Sequence, residues 1–580
     1  MSGNRIVSTA TGRGALGRRA LLQAGAGAVA GGGGGGGGRR PPGGGAGGGG
    51  DWRPAGAGPG AAGGGRAAPA ARAAVPVFGH GVASGDPLPD GVILWTRVTV
   101  GPDAAPGSGA GDPATVRWEV AADEAFTEIV ASGSTNATAE SDHTVKVDVR
   151  SLAPARDYWY RFTALGETSV VGRTRTAPAP AADPTRLRFG VVSCSNWEAG
   201  YFAAYRHLSS RDDLDAVIHL GDYLYEYAAE SYGGRAGPIR RHDPVHEIVT
   251  LADYRVRHGQ YKTDPDLMTL HARLPFICTW DDHESANNSW SGGAENHDPG
   301  TEGDWPARRA ASVRAYLEWM PVRAEGTAAA PRIYRRLRFG TLAELSMLDL
   351  RSYRDAAPRL GSRDSDDPDR SIAGAAQMDW LTAGLTSGSA RWQLVGNSVM
   401  ISPLAFPPMD PATTAAVTEI LGIPREGLAP NTDQWDGYTA DRRRLLTALT
   451  DRGSTNIVYL TGDIHSSWAA DVPLDAAAYP HGPTAGAEFV VPSVTSLGIG
   501  DLLPGPPRTG TVALENSVRT LNPHIRYTEL DSHGYGVVDI AVGQVRMEWF
   551  YTADVTDPGT GVVLGASWVL PHGGRLRPGT

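Results

Sequence analysis

RFGVVSCSNWEAGYFAAYRHLSSRDDLDAVIHLGD, residues 188–222, is the stretch that decides the fold. It opens with an apolar run of β-formers that stops at Cys194, and it closes with a second run, LDAVIHLGD, that stops at Gly221 and Asp222. Between them YFAAYRHLSS (201–210) reads as a helix. Strand, helix, strand in that order predicts a parallel pair joined by a crossover. The rhythm continues in PFICTWDDH (275–283), LAELSMLDL (342–350), WQLVGNSV (392–399) and NIVYLTGDIH (456–465). Uninterrupted apolar runs suit strands buried on both faces between helices. In such sheets ligands bind beyond the carboxyl ends of the strands. The polar residues fall there: Cys194, Asp222, Asp281-Asp282-His283, and Asp463 with His465.

Upstream the texture differs. GVILWTRV (91–98), TVRWEVAAD (115–123), HTVKVDVRSL (143–152), DYWYRFTAL (157–165) and SVVGRTRT (169–176) are short β-runs at the spacing of a sandwich. LAPARDYWYRF (152–162) resembles the tyrosine corner of fibronectin type III and immunoglobulin-like domains. TAPAPAADPT (176–185) reads as a link. The expected fold class is therefore α/β, with parallel strands packed between helices, preceded by an all-β immunoglobulin/fibronectin-III-like domain. The expected segments are 1–75, 76–180, 184–560 and a C-terminal tail at 561–580.

Near the start, Arg18 and Arg19 precede a weakly apolar stretch and a long glycine tract. Glycine at that density cannot offset its ordering entropy, so 31–74 is expected to be disordered. The apolar part is shorter than the ~20 residues that span a bilayer. The paired arginines resemble a twin-arginine export signal, with Ala71 and Ala73 suited to a signal peptidase. A secreted or periplasmic location, reached through the twin-arginine translocation machinery, is the expectation. Fifty-three basic against 63 acidic residues give a net charge of −10, and no nucleic-acid-binding module is evident. Two cysteines cannot build a disulfide framework.

Each strand tip taken alone has a bland reading. In HLGDYLYE (219–226) Asp222 and Tyr225 stand one helical turn apart and can face one point, or can be a helix cap and a core tyrosine. In TWDDHESANN (279–288) two acids beside a histidine are costly unless a cation neutralises them, although a surface acidic loop has the same composition. Asn287 and Asn288 offer amide oxygens to a hard ion such as Ca2+. In YLTGDIHSSW (459–468) Asp463 and His465, two apart, share a face on an extended tip. Three such tips in one domain are harder to dismiss.

GDYLY (221–225), DDHE (281–284) and GDIH (462–465) follow the motif order of calcineurin-like metallophosphoesterases. With SCSN (193–196), the RRAASVRAYLEWMPVR run (308–323) and FGHGVASGDPLPDGVILWTRV (78–98), the chain resembles the alkaline phosphatase D, or PhoD-like, branch from about 78 to 555. That resemblance implies an α/β catalytic domain built as a β-sandwich flanked by helices, and a metal-dependent phosphoesterase acting on phosphomonoesters or phosphodiesters through a hydroxide activated on two metals. Cys194, Asp222, Tyr225 and His465 would hold an Fe3+-like ion, and Asp222 would bridge to the second metal. Asp282, Asn287 and Asp463 would serve that metal, a Ca2+. His283 would protonate the leaving group or stabilise transition-state charge, and Arg309 would bind the substrate phosphate. Secreted phospholipases D look similar, so a lipid phosphodiester is the alternative substrate. Cys194 then reads as a thiolate ligand where other members of the superfamily place an aspartate, and Cys278, inside its strand, as packing.

Overall fold

The computed structural model describes residues 75–327, 330–359, 363–405, 411–421 and 431–579. The expected twin-arginine signal and glycine tract lie outside these residues. RFGVVSC forms the strand Arg186–Val192, the helix follows at Ala203–Ser209, and the next strand is Ala216–His219. The two strands pair in parallel, with Ala216 opposite Phe189 and His219 opposite Val192. Phe276–Cys278 adds in parallel beyond them, Cys278 opposite His219. These three occupy the middle of a ten-stranded sheet. A second sheet of seven strands runs Ala343–Met347, Trp392–Asn397, Ile457–Thr461 and Thr484–Val490 side by side in parallel.

The inner faces meet in one core, where Phe189, Val191, Ile218 and Ile277 pack with Leu345, Met347, Leu394 and Leu460. Strands alternate sides, so the intervening residues need cover on the outer faces. Helices Ala203–Ser209, Pro265–Arg273 and Trp305–Trp319 bury Val217 and Phe276. Ala375–Ser387 and Thr439–Asp451 bury Val395 and Tyr459. The result is the helix-flanked β-sandwich expected. The chain just beyond Arg186–Val192, Ala216–His219, Phe276–Cys278 and Ile457–Thr461 carries Cys194, Asp222, Asp281-Asp282 and Asp463, and these residues gather at one rim.

The N-terminal β-region has its own core, including Val116, Tyr160 and Phe162. Its tyrosine corner is present: the Tyr158 hydroxyl accepts from Ala153 N at 2.9 Å. The region does not close on itself, however. Val82–Leu88 pairs in parallel with Phe276–Cys278, Gly85 opposite Phe276, so Val82–Leu88, Gly91–Arg97 and Thr144–Val149 continue the ten-stranded sheet. At the other edge the segment 561–580 departs from the expected tail. Val562–Pro571 forms nine pairs with Gln544–Thr552, and Arg577–Pro578 adds to it.

Candidate metal centre

The strand tips turn inward through strained backbone. Cys194, Asp222, Asp463 and His465 all lie in the left-handed region, with φ of 60°, 54°, 65° and 50°. A non-glycine residue there costs about 1–3 kcal/mol, a strain that structures retain mainly at functional sites. Hydrogen bonds lock the bends. Cys194 N donates to Gly221 O at 3.2 Å and Ser195 N to Asp222 O at 2.9 Å. Ser195 Oγ donates to Tyr223 O at 2.9 Å. Gly221 (φ 105°) is required, because a side-chain carbon there would overlap the Asp281 Cβ and lie 2.5 Å from its backbone nitrogen. Buried Glu284 joins the next tip by accepting from Asp222 N, Tyr223 N and Asp281 N at 3.1, 2.7 and 2.9 Å.

These bends bring three buried or nearly buried ligand clusters together: Cys194, Asp222 and His465; Asp222, Asp282 and His283; and Asp281, Asp282 and Asp463. Asp222 belongs to the first two and Asp282 to the last two, so the clusters form one continuous chain of donors. Tyr225 joins the first cluster, its hydroxyl donating to Asp222 Oδ2 at 3.2 Å and lying 3.2 Å from His465 Nε2. His465 Nδ1 contacts the Leu497 carbonyl at 2.7 Å, which turns Nε2 toward the cluster. Burial, then the Asp222 carboxylate, pushes the Cys194 thiol well above its ordinary value. Burial also lifts Asp222, and neighbouring Asp282, Asp281 and Glu284 add to the rise. A thiol, a phenol, two imidazoles and four carboxylates packed this tightly suit cations better than protons. The donor set fits a pair of metal ions.

Asn288 N donates to Asp282 Oδ2 at 2.6 Å and fixes that carboxylate between two clusters. Asn287 lies close by, its Nδ2 donating to Glu295 at 3.2 Å. Asp281 is engaged differently, by the Arg351 guanidinium through Nε at 2.6 Å and Nη2 at 3.1 Å. Arg351 also stands 3.6 Å from Asp282, 3.0 Å from Asp433 and 3.7 Å from Asp463. Burial raises Asp281 to about 7 against Arg351, and Asp463 to about 6 with help from Asp433. Arg309 borders a narrow recess with Asp281 and Arg351, and its Nη2 donates to Ser352 O at 2.9 Å. Both cysteines are free, and Cys278 is packed in its strand.

His283 sits beside the shared carboxylates, its ring 4.2 Å from that of Tyr225. Its Nδ1 contacts Glu226 Oε2 at 2.7 Å. Burial opposes the charged imidazolium, but Asp282, Glu226 and Asp222 outweigh it and push the group up to about 10. Sequence reading missed Glu226, Arg351 and Asp433. The first was legible in principle, because it follows directly on GDYLY.

Residues 189–549 match the family model of the PhoD-like phosphatases, and residues 64–178 that of the PhoD-like phosphatase N-terminal domain. The chain belongs to the PhoD-like phosphatase family. Alkaline phosphatase D of Bacillus subtilis (strain 168) is 37% identical over 500 residues, which is 85% of this chain and 80% of that protein. A solved structure of PhoD matches with a TM-score of 0.78 at 35% identity, covering 88% of this chain and 94% of that one. This PhoD-like chain is accordingly a phosphatase, a hydrolase of phosphoesters. Among the described residues no helix is long and apolar enough to cross a membrane. A fourth acidic group, Glu515, Glu529 and Asp531, already has a cation in Arg508, which lies 2.7 Å from Glu529.

Proposed function

We propose that this chain is a secreted, metal-dependent alkaline phosphatase D-like enzyme that hydrolyses phosphomonoesters and phosphodiesters. One observation carries the reading: Asp222 is shared by two adjacent donor clusters and Asp282 by the second and a third, so the donors for two cations would lie side by side. Cys194, Asp222, Tyr225 and His465 would hold Fe3+, since the phenolate and carboxylate oxygens suit a hard trivalent ion. Asp282, Asn287 and Asp463 would hold Ca2+, through oxygens alone. When bound, the two ions supply an acidified water and neutralise charge on the phosphoryl oxygens.

The chain's own residues do the rest. His283 holds a proton at Nε2 and gives it to the departing oxygen, because Nδ1 is committed to Glu226 at 2.7 Å. Glu226, buried and anionic, keeps that proton on the ring by stabilising the imidazolium. Arg309, beside Asp281 and Arg351, would bind the substrate phosphate. Arg351 spreads one positive charge over Asp281, Asp282, Asp433 and Asp463 and limits their repulsion.

Assays of the purified protein on a monoester, a diester and phosphatidylcholine test the proposal. Turnover of the first two, lost on chelation, is expected. Turnover of phosphatidylcholine alone would replace it with the lipid reading. His283→Ala is expected to lower kcat on the order of 100-fold or more while metal content stays unchanged; full activity would remove the acid role.

A further inference from the structure

Behind His283 the polar contacts continue through Glu226 to Arg308 on the helix Trp305–Trp319. Glu226 is fully buried, and both its oxygens are taken. Oε2 faces His283, while Oε1 accepts from Asn287 N at 2.7 Å and from Asn296 Nδ2 at 2.8 Å. The same Asn296 nitrogen donates to Glu247 Oε1 at 3.1 Å, and Arg308 Nη2 donates to that oxygen at 3.0 Å. The Arg308 side chain is 0% exposed. Its Nη1 reaches Glu302 at 2.9 Å and its Nε donates to the Tyr254 hydroxyl at 3.1 Å. That hydroxyl donates in turn to the carbonyl of Ser285, on the tip that carries His283. His283 is thus reached from two sides, through Glu226 and through its own backbone turn.

The residue types fit the task. A primary amide is neutral and offers two protons from one nitrogen, so Asn296 separates two buried carboxylates while giving each a hydrogen bond. Arg308, with its rigid fork, supplies the positive charge they need. Burial, then the Glu226 charge, pushes Glu247 up to about 7 against the pull of Arg308.

We propose that Asn296, Glu247 and Arg308 are positioning residues for proton transfer: they hold Glu226 in the one orientation that aims the His283 imidazole at the leaving oxygen. The inference rests on the reading of His283 as general acid. It also separates the roles of the paired arginines, since Arg308 serves the acid while Arg309 faces the recess by Asp281.

The test compares wild type, His283→Ala, Asn296→Ala, Asn296→Gln and Glu247→Gln on an alkyl phosphoester and a p-nitrophenyl phosphoester, with metal content measured alongside. A good leaving group departs without a proton, so only the alkyl substrate reports the acid. Asn296→Ala is expected to lower kcat on the alkyl ester about 10- to 100-fold, as loss of orientation does. It should leave the p-nitrophenyl ester within about threefold, with KM and metal content unchanged. Asn296→Gln should recover part of the loss, and isosteric Glu247→Gln should give the same contrast between substrates. If Asn296→Ala fails to fold, Glu247→Gln decides. Equal loss on both substrates, or loss of metal, would mean a merely structural role and overturn the inference. A contrast in His283→Ala but in neither other variant would overturn the inference alone. No contrast in His283→Ala would overturn the acid role beneath it.

Discussion

Cys194, Asp222, Tyr225 and His465 come from three distant parts of the chain, yet each stands at the end of an apolar run. That is why they were legible: a strand buried on both faces leaves only its tip free for chemistry. Their assignment makes an optical prediction. Tyrosinate and thiolate bound to Fe3+ absorb visible light, so the pure protein should be coloured and Tyr225→Phe should shift or weaken the band; an active, colourless wild type would remove the iron. Glu226→Gln should cut kcat about 10- to 100-fold with metal retained, because an amide stabilises the imidazolium less than a carboxylate does; unchanged kcat would break the His283–Glu226 link. The residues that escaped sequence reading share a physical cause. Arg351 bonds Asp281 across 70 positions and Asp433 across 82. Side-chain pairs at such separations leave no local period to read. The paired arginines are instructive in another way: nothing in WPARRAAS distinguishes the buried Arg308 from the half-exposed Arg309, and only the helix's orientation does.

At the scale of elements, the parallel strands between helices were legible from the alternation of strand and helix, their assembly into a two-sheet sandwich only from the family resemblance, and the sheet edges from neither. Val82–Leu88 reads as part of a self-contained β-domain, but it pairs with Phe276–Cys278 because that strand has an open edge and only three residues. Val562–Pro571 reads as a tail because much of it faces solvent, with Val563 63% and Leu564 55% exposed. An outer strand buries one face at most, which weakens its sequence signal. The tips themselves depend on backbone that few residues tolerate. Gly221→Ala should therefore destabilise the fold by roughly 3 kcal/mol or more, since it adds both left-handed strain and overlap with Asp281. Chemical denaturation measures this directly; a cost near zero would mean the tips are not packed against each other as described.

For the whole molecule, the concentration of acids at one rim has a consequence for stability. In the metal-free protein Asp281 and Glu284 titrate at about 7 and Asp463 at about 6, all raised first by burial. The folded state therefore binds more protons than the unfolded state between about pH 4 and 7. Stability must fall as pH rises through that window, and fall again as His283, held up at about 10, loses its proton. The metal-free melting temperature should accordingly drop from pH 5 to pH 8. Metal-loaded protein should lack the drop, because cations replace the protons; parallel curves for the two forms would contradict a metal site here. The central claim is that the chain of donors from Cys194 to Asp463 holds two different cations. Elemental analysis of the purified protein tests it most directly: the account predicts about one iron and at least about one calcium per chain, while zinc alone, or full activity with neither metal, would contradict it.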